Sequence, residues 1–161
     1  MVILGIDPGI GRCGWGVVEY EASKLKVVDY GSIETTPNGK IEERLLIISD
    51  EIMGFIKKYK PDVMSIEELF FGANSKTALV VGQARGVILL CAGEHKLPVA
   101  IYTPLQVKMA LTGYGRADKA QIGQMVKIIL KLDKIPKLDD TADALAIAIT
   151  HAFSAKMNSK I

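Results

Sequence analysis

The chain reads as an α/β protein whose mixed five-stranded sheet is flanked by helices. Three observations predict this. The first third holds three strand-like segments joined by short turns, so neighbouring strands can pair antiparallel as a meander. Beyond that, helix and strand patterns alternate, the order in which crossover connections add parallel strands to a sheet. The apolar share of the 161 residues is 49%, enough for a single core. One domain over residues 1–155, with a polar tail over 156–161, is the expectation for this length.

The elements follow in order. Val2–Asp7 is a short apolar run closed by Pro8 and Gly9, which reads as a buried central strand rather than a helix. Cys13–Tyr20 and Leu25–Ile33 are β-branched and aromatic runs separated by the polar turn Glu21, Ala22, Ser23 and Lys24. Thr35–Gly39 is a loop. Ile41, Leu45, Ile48, Ile52 and Phe55/Ile56 recur at helical spacing, which predicts an amphipathic helix over Ile41–Tyr59. Lys60, Pro61 and Asp62 end it, and Val63–Ile66 makes a fourth strand that runs into Glu67 and Glu68. Phe70–Asn74 is a loop with two adjacent aromatics. Asn74 or Ser75 caps a long helix to about Glu94, and its apolar composition predicts that it is well buried. Val99–Tyr102 is a fifth strand, and Thr103 with Pro104 starts a short helix to Leu111. Thr112–Arg116 is a glycine-rich basic loop. Lys119–Leu132 is a further amphipathic helix, and Leu138–Phe153 is the last.

The glycines at 9, 11 and 14 match the dinucleotide fingerprint, with Asp29 at the ribose-carboxylate distance. That motif requires a helix directly after the glycines. Trp15–Tyr20 is strand material instead, so the match is expected to be fortuitous. Glycines beside Asp7 suit a backbone that something large must approach closely.

Bulk composition narrows the function classes. No apolar run is expected to reach the ~18 residues of a membrane span, and the N-terminus lacks a signal-peptide pattern. A cytoplasmic protein with no membrane partner follows as the expectation. Cys13 and Cys91 lack disulfide-scaffold or metal spacing and are read as reduced structural thiols. Only two histidines, His95 and His151, are present, so a histidine-rich metal site is not expected. Residues 1–100 hold 11 Lys/Arg against 13 Asp/Glu, whereas residues 101–161 hold 9 against 5. A basic C-terminal third is consistent with a polyanionic partner.

The chemistry rests on carboxylates. Asp7 ends one strand and Glu67 ends another. Asp140 and Asp143 lie three apart at the start of the last helix, on one face with Cβ atoms about 5–6 Å apart. Acids at a helix start also serve capping and the macrodipole. Asp143, however, continues the face of Ile147, where an acid placed only for the dipole would be misplaced. Sites in open α/β sheets form outside the carboxyl ends of strands. Four carboxylates converging there repel one another unless cations lie between them, and oxygen-only donors favour Mg²⁺ or Mn²⁺. Two such ions about 3.5–4 Å apart are the arrangement for in-line displacement at phosphorus.

GIDPG at residues 5–9, Ile66 with Glu67, GQARG at 82–86 and DTADALAIAITH at 140–151 together resemble the RuvC family of crossover-junction endodeoxyribonucleases. The resemblance spans nearly the whole chain, in order. It implies a ribonuclease H-like fold and Mg²⁺-dependent symmetrical nicking of four-way (Holliday) junction DNA, with two ions per site and Mn²⁺ able to substitute. It also implies a homodimer with two separated sites, and a branch-migration motor and its junction-binding subunit as partners. The family's catalytic, metal-holding acids fall on Asp7, Glu67, Asp140 and Asp143. Glu68 and Asp139 are the neighbours that could be confused with two of these. Strand alternation turns Glu68 to the other face, and Asp140 rather than Asp139 has the three-residue offset from Asp143. Phe70 falls where the family stacks an aromatic on an unpaired base. Lys108 and Lys119 match basic positions of its DNA contact, and Arg116 joins them from the glycine-rich loop. Arg85, within GQARG, is read as structural or as a dimer contact.

Three other classes compete. A YqgF-like RNA-processing nuclease shares a GIDPG-like start but is disfavoured by the aromatic loop and the GQARG helix. An actin-like sugar or acetate kinase would require a second copy of the unit. A catalytically dead DNA-binding module would not need four acids.

Overall fold

The computed structural model describes residues 1–68 and 75–158; Phe70, Phe71 and the proposed cap Asn74 lie outside them. Ten elements follow one another: β1 (Val2–Asp7), β2 (Arg12–Glu21), β3 (Lys24–Glu34), α1 (Ile41–Tyr59), β4 (Val63–Glu67), α2 (Ser75–Glu94), β5 (Val99–Tyr102), α3 (Pro104–Thr112), α4 (Lys119–Leu130) and α5 (Asp139–Asn158). The five strands form one sheet in the order β3-β2-β1-β4-β5. β1, β2 and β3 pair antiparallel, and β4 and β5 join β1 in parallel. The expected meander with parallel additions is therefore present.

Side chains alternate across the sheet and create two cores. Leu4, Ile6, Trp15, Val17, Met64 and Ile66 face α1 and α2. Ile3, Val18 and Val63 face α3, α4 and α5. α5 lies across β1 and β2 with Ala144 to Ile149 all buried, which is why its sequence is apolar on every side. Truncating a fully buried Leu or Ile such as Leu145 to Ala would cost about 2–5 kcal/mol.

Local chemistry sets the helix ends that matter for the site. Thr103 forms a capping box with Gln106 at the start of α3, and Pro104 takes the first helical position. Asp118 does the same with Gln121 at the start of α4, which places Lys119 in its first turn. Each cap satisfies backbone donors that would otherwise be orphaned.

Three expectations are corrected. α5 continues to Asn158 rather than ending near Phe153, because no glycine or proline interrupts it and Ser154 Oγ bonds back to the Thr150 carbonyl. Part of the expected tail thus belongs to the helix. α2 is only half buried: Ala84, Ile88, Cys91 and Ala92 face the core, while Leu79 and Leu90 are 66% and 61% exposed. It packs on α1, and its opposite face carries apolar side chains into solvent. Over Thr77–Glu94 this helix also meets the length and composition of a membrane span, contrary to the expectation that none would. Apolar composition signals a surface to be covered, and within this chain only one side of α2 is.

Candidate active site

Register builds the site. Asp7 is the last residue of β1 and Glu67 the last of β4. Because Ile6 pairs with Ile66, the two acids emerge side by side at the carboxyl ends of adjacent parallel strands. Both follow residues buried on the α1–α2 side, so alternation sends them toward α5. Asp140 and Asp143 arrive from above in the first turns of α5. Thr141, buried between them, ties that end down by donating its hydroxyl to the Gly31 carbonyl at 3.0 Å. Arg85 Nε approaches the Glu67 carbonyl oxygen at 3.4 Å and links α2 to the end of β4.

A pocket of about 340 Å³ is lined by Asp7, Glu67, Asp143, Lys108 and Lys119. Asp140 faces the neighbouring groove, where Arg12 Nη1 lies 3.8 Å from its Oδ2. It remains close enough that its charge bears on Asp7. Lys119 reaches into the acids rather than out to solvent. Its ammonium is 3.4 Å from Asp143 Oδ2 and 3.9 Å from Asp139 Oδ2. Lys108 joins the wall of the pocket from α3. Arg116 is exposed on the loop after α3 and does not line the pocket. Phe70 lies outside the described residues.

The electrostatics are those of crowded, partly desolvated carboxylates. Burial, followed by the charges of Asp143, Glu67 and Asp140, pushes Asp7 up to about 8, and only Lys119 pulls the other way. Burial and Asp143 raise Glu67. Burial also raises Asp143, against the ammonium of Lys119. Asp143 in turn raises Lys119. The pocket is one in which ionised acids are costly and a hard cation would relieve that cost. Among the described residues no three side chains close around one ion as placed. The donor set nonetheless fits a divalent cation, since every acid is an oxygen donor and Asp7 and Glu67 share a strand-end wall.

The confusable neighbours separate. Glu68 is exposed beyond β4, with its N–H bonded to the Tyr102 carbonyl at 2.8 Å, and it does not line the pocket. Asp139 is exposed and paired with Lys119. Cys13 and Cys91 are buried free thiols, and burial pushes Cys13 up to about 12. His151 Nδ1 meets the Tyr102 hydroxyl at 2.9 Å and His95 meets the Cys91 carbonyl, and neither lines the pocket. The glycine motif leads into β2 without a helix, and Asp29 is held by Tyr59 and Lys58, so the dinucleotide reading is excluded. Arg12 and the Glu67 link of Arg85 had no signal in spacing, since both contacts are made by the tertiary fold.

The profile of the family described as crossover junction endodeoxyribonuclease RuvC matches residues 3–151. A RuvC from Ruminiclostridium cellulolyticum is 53% identical over 159 residues, covering 99% of this chain and 96% of the relative. One from Clostridioides difficile is 51% identical over 161 residues, covering 100% and 95%. Among solved structures, Thermus thermophilus RuvC in complex with Holliday junction substrate superposes with a TM-score of 0.93 at 40% identity, covering 99% of this chain and 97% of the other. The fold is accordingly the ribonuclease H-like one that the resemblance implied. With a family profile matching residues 3–151 and relatives above 50% identity over nearly the full chain, the chain belongs to the RuvC family of crossover junction endodeoxyribonucleases.

Proposed function

We propose that this protein resolves Holliday junctions by symmetrical, divalent-cation-dependent nicking of two strands during recombination and repair in the cytoplasm. The observation that carries the proposal is that Asp7, Glu67 and Asp143 line one pocket at the carboxyl ends of β1 and β4, with Asp140 beside it in the adjoining groove. Asp7, Glu67, Asp140 and Asp143 would hold Mg²⁺, two ions per site, with Mn²⁺ able to substitute. Bound there, the metal supplies Lewis-acid activation of the scissile phosphate and of the attacking water. The chain's own contribution is placement. Thr141 and Arg85 fix the helix and strand ends that carry the acids. Lys108 and Lys119, on the pocket wall, offer ammonium groups to the phosphate backbone. Arg116 extends that basic surface along the loop, and Phe70 stacks on a base opened at the crossover.

The assembly is a homodimer formed through the exposed apolar face of α2, on which Leu79 and Leu90 stand. Large apolar side chains left this exposed on one helix face are characteristic of an interface. A dimer presents two sites to the two strands that must be cut. The branch-migration motor and its junction-binding subunit are the expected partners. One test is incubation of the protein with an end-labelled four-way junction, with and without Mg²⁺, against a linear duplex. Paired nicks in the junction alone, dependent on the ion, are expected; equal cutting of the duplex would overturn the reading.

A further inference from the structure

A groove of about 570 Å³ adjoins the acid pocket, and Lys119 lines both. Its lining includes Gly9, Gly11 and Arg12 from the glycine turn, Lys137 from just before α5 and Asp140 from the start of α5. It is rich in cations for its size, with Arg12, Lys119 and Lys137 set against Asp139 and Asp140. Lys119 is drawn onto Asp143 and Asp139, whereas Arg12 makes a single pair with Asp140 at 3.8 Å and remains half exposed. Lys137 is exposed in the segment leading into α5. The Ile10 and Gly11 carbonyls of the glycine turn both accept from Thr35, which does not line the groove. Arg44 Nε holds the Thr35 hydroxyl at 2.8 Å and fixes that arrangement.

We propose that Arg12 and Lys137 form a clamp for the phosphate next to the one that is cut, so that the cleaved strand crosses the acids and continues into this groove. The inference rests on the nuclease reading above and adds two substrate-binding residues to it. A guanidinium presents a planar donor fork to a phosphate, and an ammonium lining the same groove adds a second charge. Contacts of this sort set register without reading sequence. Held there, the strand cannot slide along the site, and the scissile phosphate stays over Asp7 and Glu67.

The test pairs protein variants with chemically altered junctions. Binding of the full-length protein is measured by fluorescence anisotropy in EDTA, using junctions that carry one uncharged methylphosphonate at each position flanking the cut in turn. At one flanking position the neutral linkage should weaken wild-type binding about two- to fivefold. Arg12→Ala and Lys137→Ala should each lose a similar factor on unmodified DNA and lose nothing further on that modified junction. Each should also lower the slope of log affinity against log salt by about 0.7–0.9. Arg12→Lys should restore most of the affinity. If losses from variant and modification multiply at every flanking position, neither side chain holds a flanking phosphate and the proposal is wrong. Should Arg12→Ala melt early through loss of its Asp140 partner, Lys137→Ala, on an exposed segment, decides alone by the same criterion. Cutting of the unmodified junction by wild type with Mg²⁺ is scored separately, so failure of the nuclease reading is distinguishable.

Discussion

The backbone of Gly14 passes so close to the carbonyl oxygen of Asp140 that a Cβ there would overlap it. Gly14 pairs with Asp7 across β1 and β2, so one glycine brings a strand-end acid and a helix-start acid into the same space. The large group that the glycine-rich start accommodates is α5 itself. Gly14→Ala forces backbone against backbone, which no rotamer change relieves. The expected cost is about 3 kcal/mol or more, a fall in Tm of roughly 6–12 °C for a chain of this size, with cleavage reduced in the surviving folded fraction. A variant that melts and cuts like wild type would remove Gly14 from the site's construction.

Stability should depend on pH with a sign set by the acids. Asp7 lies at about 8 in the fold against an ordinary 3.8, and Glu67 and Asp143 are also raised. Between about pH 5 and 8 the unfolded chain has released these protons while the folded chain retains that of Asp7. The folded state therefore binds more protons, and stability falls as pH rises through this window. Metal-free protein should melt lower at pH 8.5 than at pH 6, and Asp7→Asn should flatten the difference. Because metal must displace the proton, Mg²⁺ should raise Tm more at pH 8.5. Thermal melts in EDTA and in Mg²⁺ at both values check this; a higher Tm at pH 8.5 without metal would contradict it.

The two pairs of adjacent acids should behave unequally. Glu67→Gln and Asp140→Asn should lower cleavage by orders of magnitude. Glu68→Gln and Asp139→Asn, on exposed carboxylates, should stay within about tenfold, ~1.4 kcal/mol. Single-turnover rates on one junction rank them. The reverse order at either pair would reassign that ligand.

Leu90→Glu places a charge on the exposed face of α2, 61% exposed in the single chain. The monomer should fold normally, since the position touches no core. Light scattering after size exclusion should show a shift from dimer to monomer, with paired nicking replaced by single, uncoupled cuts. A variant that remains dimeric would place the interface elsewhere.

Much of this was legible because strands end where their carboxylates stand. Asp7 and Glu67 could be read as site residues from an apolar run stopped by an acid, and Asp143 from its place on an apolar helical face. Sequence overstates the burial of α2 because composition records the need for burial and not which molecule meets it. Arg12, the link from Arg85 to the Glu67 carbonyl and the inward reach of Lys119 have no signal in the sequence, since each depends on distant segments meeting. Spacing singles out Asp140, but a three-residue offset does not carry its turn toward Arg12. Phe70 had only the resemblance behind it, and its segment lies outside the described residues.

The central claim is that the four carboxylates perform the cut while basic side chains hold the DNA. Asp7→Asn separates these most directly, because it removes a carboxyl group able to ionise onto the cation and leaves Lys108, Lys119 and Arg116 in place. Junction binding and Mg²⁺-dependent cleavage should be measured on the same preparation of this variant. The account predicts wild-type-like affinity, with cleavage abolished. Cleavage at the wild-type rate by Asp7→Asn would contradict it.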